Sequence, residues 1–266
     1  MMRNATHLRR CAAALVLIVA LAAGALAEPA VTVQSVVIDT PILVVDATAT
    51  PEAPQPTLPP MQESFSALYA ENPDVVGWLE MAPNIALPVV QRDNSFYLDH
   101  DFYGNSSVSG ALFLDSRNTL WPADTHMAIY GHNMKNGSMF GSFNNYRKLS
   151  YLQKNPLVTF NTIYADARYV PFALFDASMT KEDPNYFRLV QFNFDEEHPF
   201  DAFLEDVRSR SFYNIPVEVG EEDSLLSLVT CSYSMDNGRF IILCRKLRED
   251  ETPEQMAELV QQATEN

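Results

Sequence analysis

Positive charge is scarce in this sequence. Of its 266 residues, 18 are Lys or Arg and 34 are Asp or Glu, which gives a formal net charge of -16. A chain with this balance lacks the cationic surface that neutralises phosphates, which argues against nucleic acid as a partner. With 47% hydrophobic residues, the chain can build one sizeable globular core, and a single domain with tails is the default expectation.

Residues 1–27 contain no acidic side chain, and most of this segment is one long apolar run. Arg3, Arg9 and Arg10 precede the uncharged run 11–27, a pattern typical of an export segment. Ala25-Leu-Ala27 has the small-x-small form of a cleavage site, while the run is just long enough to span a bilayer. Residues 1–27 are therefore predicted to be a signal peptide or an uncleaved membrane anchor, and both remain open.

Large aromatic residues are almost missing from the next segment. Residues 28–61 are rich in Val, Thr, Ala and Pro, a composition that cannot bury enough apolar surface to order itself. We interpret this segment as an extracytoplasmic linker. The globular domain is predicted over residues 62–249, followed by a C-terminal helix within 250–266.

Cysteine is rare, with three residues in the chain, and Cys11 lies in the export segment. If strands ending at Cys231 and starting at Arg239 form an antiparallel hairpin, Cys244 lies roughly 16 Å from Cys231. A disulfide needs Cα atoms within about 7 Å. Cys231 is therefore predicted to be a free thiol on an exported protein, which calls for a chemical reason, and Cys244 to be a small buried apolar residue.

Clusters with metal-ligand spacing are also missing. Neither the remaining histidines nor the loop carboxylates stand at spacings typical of zinc sites or EF-hands. We predict no metal and no cofactor. The residues considered were His100, His126, His198, Asp101, Asp115 and Asp124.

Short apolar runs separated by turn-rich stretches dominate residues 72–247. Many short strands with irregular connections favour a mostly β, closed and largely antiparallel barrel over a doubly wound sheet. The runs are 72–79, 85–90, 110–115, 127–130, 157–161, 169–175, 187–192, 225–229 and the run that starts at Arg239.

Helical patterns are few. A short helical entry is predicted near Phe65–Tyr69, and one interior helix follows Pro199, with Phe200, Phe203, Leu204 and Val207 on one face. A last helix begins with a capping box in which Thr252 is the N-cap and Gln255 is at N3.

Two loops carry the reactive side chains. One apolar run ends just before His132, and a second, about a hundred residues later, ends just before Cys231. Arg239 follows across the turn Asp236-Asn-Gly238. A thiolate attacks carbonyl carbon, a histidine carries the proton to a leaving amine, and a guanidinium stabilises an oxyanion. This combination predicts acyl transfer through a cysteine nucleophile.

The sequence resembles the class B sortases, cysteine transpeptidases of the Gram-positive cell surface, over nearly all of residues 65–247. Shared motifs surround both reactive loops and several predicted strands. They are Asn72-Pro-Asp-Val-Val-Gly-Trp, Pro88-Val-Val-Gln, Asp93-Asn94 with Tyr97-Leu98, Gly110-Ala-Leu-Phe-Leu-Asp, Tyr130-Gly-His-Asn-Met-Lys-Asn-Gly-Ser-Met-Phe, Leu228-Val-Thr-Cys-Ser-Tyr and Gly238-Arg-Phe.

The resemblance implies an eight-stranded barrel with a helix before the penultimate strand. It implies catalysis by His132, Cys231 and Arg239, and substrate binding by Asn94, Leu98, Tyr130 and Thr230. Its implied substrate is an Asn-Pro-x-Thr sorting signal of a surface protein, cut after Thr and transferred to an amine of peptidoglycan or of a pilin subunit. The C-terminal helix and the Ala25-Leu-Ala27 motif depart from the family pattern.

Two alternatives remain. An L,D-transpeptidase also has His before Cys before Arg, but there the Arg lies close behind a Gly-Cys pair, whereas here Thr230 precedes the cysteine. A sortase-like barrel that only binds predicts the loss of one catalytic residue type, and none is lost.

Overall fold

A computed structural model describes residues 57–189 and 191–266. The predicted export segment and the linker up to residue 56 lie outside the described residues. Residues 57–61 of the predicted linker form neither helix nor strand, although the Trp121 Nε1–H donates to Thr57 O at 3.1 Å. Across the described ranges, no helix has the length and apolar character needed to cross a membrane.

Eight strands close a barrel, as the resemblance implied. Around the barrel the order is β1, β2, β3, β4, β8, β9, β6, β5, with β5 returning to β1. The pairs β2/β3 and β4/β8 are parallel and the others antiparallel. The barrel strands are β1 (Val75–Met81), β2 (Ile85–Val90), β3 (Leu112–Leu114), β4 (His126–Tyr130), β5 (Val158–Thr162), β6 (Arg168–Ser178), β8 (Leu225–Cys231) and β9 (Gly238–Lys246).

Short helices precede, connect or follow the barrel strands. The α-helices are α1 (Ser66–Glu71), α2 (Leu149–Lys154), α3 (Phe200–Arg210) and α4 (Pro253–Gln261). Single turns of 3-10 helix occupy Glu63–Phe65 and Phe96–Leu98, and a longer 3-10 segment occupies Gly141–Arg147. A second small sheet pairs β7 (Tyr213–Asn214) with β10 (Thr264–Glu265). Both α3 and α4 pack against β6.

The predicted helix faces are confirmed. On α3, Phe200, Phe203 and Val207 are buried, and α3 precedes β8, the penultimate barrel strand. The capping box of α4 is complete: the Thr252 hydroxyl accepts from Gln255 N, and the Gln255 side chain accepts from Thr252 N. Burial of such stripes supplies most of the stability of helices this short.

One local prediction was wrong, and one helix was missed. Residues 187–192 are not assigned to a strand where they are described, although Phe187 and Leu189 are buried. Phe187 packs between Phe175 of β6 and Phe203 of α3 while the backbone around it stays irregular, and the neighbouring Tyr186 forms an isolated bridge with Ser178. Helix α2 was not predicted.

Candidate active site

Cys231 and Arg239 face each other across a tight hairpin. Cys231 is the last residue of β8 and Arg239 the second of β9, and the two are register partners. In the connecting turn Asn237 has φ of 50°, and a Cβ on Gly238 would lie 2.9 Å from Ser232 O. The turn therefore requires Gly238, and the hairpin predicted from the sequence is confirmed.

Both described cysteines are free, as expected. Cys244 lies opposite Leu226 in the hairpin, far along β9 from Cys231, and is fully buried. Burial raises the pKa of the Cys244 thiol, so it stays protonated and unreactive. Cys231 is only partly buried and is the accessible thiol of the pair.

The parallel pairing of β4 and β8 brings His132 beside Cys231. Tyr130 and Val229 are register partners, and His132 and Cys231 each follow their partner by two residues. Neighbouring strands lie about 4.8 Å apart, so both side chains emerge at the same end of the barrel. Reactive residues a hundred positions apart in sequence thus become neighbours.

Hydrogen bonds join the loop that follows β4 to the last residues of β8. Gly131 N–H donates to Val229 O at 3.1 Å, the Thr230 hydroxyl donates to Gly131 O at 2.7 Å, and the Asn133 amide donates to Cys231 O at 2.8 Å. A Cβ on Gly131 would approach Leu112 to 2.5 Å, so this position requires glycine. The spacing between the two loops is therefore built into the fold.

One hydrogen bond orients the His132 ring. Its Nε2 lies 2.7 Å from Leu98 O, and a carbonyl can only accept, so Nε2 carries a proton. In neutral His132 the remaining nitrogen, Nδ1, is then the one free to take up a proton. This bond also ties the His132 loop to the turn Phe96–Leu98.

The three residues predicted to be catalytic share one cavity of about 80 Å³. His132, Cys231 and Arg239 all line it. One guanidinium nitrogen of Arg239 donates to Gly238 O at 2.9 Å and, more weakly, to Asn237 O at 3.4 Å, and no other bond of this side chain to a described residue is found. The remaining donors can serve a substrate oxygen. The cavity wall consists of Leu98, Ala111, Phe113, Tyr130, Gly131, Val229 and Thr230.

A larger cavity of about 570 Å³ adjoins the first. Phe113, Tyr130 and Arg239 line both. Together the two cavities form what we call the groove: the small cavity at Cys231 and the large cavity beyond Arg239. A groove of this size fits a short extended peptide.

Three of the four residues predicted to bind substrate line the small cavity, and Asn94 lines the large one with Tyr130. Leu98 is 44% exposed, so it is not a core residue. Thr230 is buried and its hydroxyl is already used by Gly131 O, which makes it a strut between the loops as well as part of the wall. The Asn94 carbonyl oxygen accepts from Ser116 N at 2.8 Å, and the Asn94 side chain also contributes to the hydrogen bonding of Asp115.

Asp115 lies in the loop after β3, as predicted, but its burial and its role in the groove were not predicted. Asp115 is fully buried and accepts from the Arg117 guanidinium at 2.7 and 2.8 Å and from the Tyr130 hydroxyl at 2.8 Å. Burial alone would raise its pKa, but these hydrogen bonds prevail and hold the pKa of Asp115 below its ordinary value. The ionised carboxylate therefore fixes two side chains of the groove wall. The position of Asp115 directly after an apolar strand was the only available signal.

A second ion pair supports the loop that follows Cys231, and sequence analysis missed it. Arg147 donates to both carboxylate oxygens of Asp176, at 2.6 and 2.7 Å, and to the Ser232 hydroxyl at 3.2 Å. The guanidinium also lies 4.5 Å above the ring of Phe240. This network holds Ser232, the residue after Cys231, against the barrel.

The other histidines have structural surroundings. The fully buried His126 ring contacts Gln191 O and the Ser227 hydroxyl, and His100 stacks on Phe96. His198 is near Asp195 at the start of α3. In the described ranges, no three His, Cys, Asp or Glu side chains gather in a way that could hold a metal ion.

Comparison with known proteins identifies the family. No family model matches the chain. A curated relative, sortase B of Listeria monocytogenes, is 31% identical over 186 residues, which cover 68% of this chain and 73% of the relative. The chain belongs to the sortase B family. Sortase B of Staphylococcus aureus is 27% identical over 192 residues, covering 71% of this chain and 76% of that protein.

Solved sortase B structures have the same fold. The Clostridium perfringens sortase B matches with a TM-score of 0.62 and 27% identity, covering 68% of this chain and 98% of that chain. A substrate complex of Staphylococcus aureus sortase B matches with a TM-score of 0.64 and 25% identity, covering 72% of this chain and 88% of that one. The protein is thus a sortase-type cysteine transpeptidase, and the L,D-transpeptidase and the purely binding barrel are set aside.

Proposed function

We propose that this sortase cleaves a surface protein at an Asn-Pro-x-Thr type sorting signal, after Thr, with Cys231 as nucleophile. The observation that carries the proposal is the shared cavity of His132, Cys231 and Arg239 at the end of a parallel strand pair and a hairpin. These residues supply the three groups that acyl transfer through cysteine requires.

In the first half-reaction the Cys231 thiolate attacks the threonyl carbonyl carbon. The oxygen becomes an oxyanion, which accepts hydrogen bonds from Arg239. When the C–N bond breaks, the electron pair goes to the leaving nitrogen, and protonated His132 delivers the proton that nitrogen needs. The acyl group is then held as a thioester on Cys231.

In the second half-reaction an amine attacks the thioester carbonyl. The C–S bond breaks, the amine proton goes to His132, and the thiolate is restored. The acceptor is an amine of peptidoglycan or the lysine of a pilin subunit. Because His132 gives a proton in one step and takes one in the other, it returns to its starting state.

The sorting signal would lie in the groove. Leu98 and Tyr130 offer an exposed apolar edge and an aromatic wall near Cys231, and the amide side chain of Asn94 lines the large cavity farther along. Thr230 would contribute to the wall. A proline in the signal would bend the peptide into this path.

The location of the enzyme is part of the proposal. Residues 1–27 would export the chain and, if uncleaved, hold it in the membrane, and residues 28–61 would space residues 62–249 from the bilayer. The enzyme would then act outside the cytoplasm, at the cell surface, where sorting signals and acceptor amines meet.

Mass spectrometry of the purified protein with a sorting-signal peptide and an amine tests the proposal. We expect Cys231→Ala and His132→Ala each to abolish the cross-linked product with an unchanged circular dichroism spectrum, because both residues lie at loop ends and fill no core volume. Cys244→Ala is the matched control, since that buried thiol should not react. Persistence of more than a few per cent of product in Cys231→Ala would show that another residue is the nucleophile.

A further inference from the structure

The large cavity of the groove carries an unusual concentration of positive charge. Arg117, Lys181, Arg188 and Arg239 all line it, and no Asp or Glu does, although acids outnumber bases 34 to 18 in the chain. The walls between these cations are aromatic and apolar, among them Phe113, Tyr186 and Leu189. A cleft lined by one sign of charge with low-dielectric walls concentrates its field on whatever enters.

Most of this charge has no partner among the residues that the structure describes. Arg117 is paired with Asp115 at 2.7 Å, but no carboxylate of residues 57–189 or 191–266 lies within 4.0 Å of Lys181, Arg188 or Arg239. Glu182 and Asp183 belong to the same loop as Lys181 and do not line the cavity. Unpaired cations around one cavity repel each other, and a bound anion would relieve that repulsion.

Strand register locates the cations relative to the cleavage site. Arg239 pairs with Cys231 on one side and with Ala177, near the end of β6, on the other, and Lys181 lies just beyond that end. Two strand spacings separate Cys231 from the end of β6, or about 10 Å. An extended peptide covers that distance in about three residues at ~3.3 Å each.

We propose that Lys181 and Arg188 bind a carboxylate of the acyl-donor peptide. The enzyme then favours sorting signals that carry Asp or Glu at or next to the position directly before Asn. This inference rests on the proposed function. We assign this carboxylate to the acyl-donor peptide because Asn94 and Tyr130, which are proposed to bind the sorting signal, line the same cavity as the cations. In an Asn-Pro-x-Thr signal, Asn lies three residues before the threonine, so the residue before it reaches the cations.

Matched peptides that differ by one charge test the inference. Capped peptides carry Glu or Gln directly before Asn, and kcat/KM for hydrolysis without acceptor amine is measured for each. Exposed charge pairs contribute modestly, and two cations together should favour the Glu peptide by about five- to tenfold at low salt. The preference should shrink as salt screens it.

Charge-removing variants assign the preference to residues. Lys181→Gln and Arg188→Gln should each reduce the ratio between Glu and Gln peptides, and the double variant should bring it close to one. Lys246→Gln is the matched control. It removes the same charge as the other substitutions, but from an exposed lysine at the end of β9 opposite to Arg239. It should keep the ratio of the wild-type enzyme.

Failure of this inference is distinct from failure of the proposed function. If wild-type enzyme cleaves Glu and Gln peptides equally well, the carboxylate site is refuted while the sortase chemistry stands. If no peptide of either kind is cleaved, the proposed sorting signal is wrong. If Lys181→Gln and Arg188→Gln change only the KM for an acceptor carrying a carboxylate, measured with glycine against glycinamide, the cations serve the acceptor and the donor assignment is overturned.

Discussion

Lowering the pH from 7 to 4 should destabilise this domain through one buried histidine. His126 is fully buried, with Phe203 against its ring at a centroid distance of 5.5 Å. Since Gln191 O can only accept, His126 Nδ1–H donates to it at 2.8 Å, and Nε2 accepts from the Ser227 hydroxyl at 2.8 Å. This neutral ring satisfies both of its nitrogens without a charge.

Burial lowers the pKa of His126 from 6.5 to about 4, despite opposing contributions from Gln191 O and the charge of Asp124. Between these two values the unfolded chain binds a proton that the folded chain refuses. The stabilising contribution of the neutral ring is thus complete above pH 6.5 and lost as pH falls to about 4. The difference between these two pKa values corresponds to about 3 kcal/mol of unfolding free energy.

Urea denaturation between pH 7 and pH 4 measures this loss. The variant His126→Gln does not titrate, so its stability should be lower at pH 7 but change by about 3 kcal/mol less across the same range. Asp115, Asp176 and Asp223 have lowered pKa values, so most of their contribution is lost as pH falls through and below their ordinary value of 3.8, and most of that of Glu251 through and below 4.5.

The pH range in which His126 loses its contribution can therefore be separated from the lower range in which the carboxylates lose theirs. If wild type and His126→Gln lose stability in parallel between pH 6.5 and 4, His126 is not the source, and the reasoning is refuted. Should the variant fail to fold, an NMR titration of the wild-type ring gives an independent answer. A His126 resonance with a midpoint near pH 6.5 in the folded protein would contradict the expected shift.

Two further predictions concern Arg239 and the C-terminal helix. Arg239→Lys should lower kcat by roughly a hundredfold or more with the fold intact, because lysine cannot donate to Gly238 O and still present a fork to an oxyanion. A kcat within about threefold of wild type in a steady-state assay would reduce Arg239 to a positioning residue. Thr252→Ala should lower unfolding free energy by about 1 kcal/mol, and Thr252→Ser much less, with peptide cleavage unchanged in both. Equal losses in these two variants would contradict a capping role.

Sequence patterns predicted the parts of the fold that depend on local regularity. The apolar stripe of α3, the capping box at Thr252 and the hairpin between Cys231 and Arg239 are all written in neighbouring residues, and the structure contains them. Residues 187–192 misled the same reasoning. Phe187 packs between β6 and α3 without belonging to a strand, because burial can be satisfied without a regular backbone.

Ion pairs that cross the fold could not be predicted. Arg147 and Asp176 are 29 residues apart, and each is an ordinary surface charge in sequence. Their value comes from the third partner, Ser232, which only the barrel brings to them. Asp115 likewise became informative when its burial was known. Desolvation decides whether such groups matter, and desolvation is a property of the tertiary structure.

The candidate catalytic residues and the peptide-binding residues therefore differ in how far sequence can identify them. Acyl transfer needs a thiol, a proton carrier and a permanent cation, so His132, Cys231 and Arg239 stand out by chemical type. The parallel pairing of Tyr130 with Val229 then places His132 and Cys231 at the same height along the two strands.

Peptide binding makes no such demand, because an apolar wall or an amide can come from many residues. Leu98 and Asn94 can be separated from ordinary packing residues only by knowing which cavity each lines. Charge identifies Lys181 and Arg188 in the same way: two exposed cations in an acidic chain gain a function only because the end of β6 places them beyond Arg239.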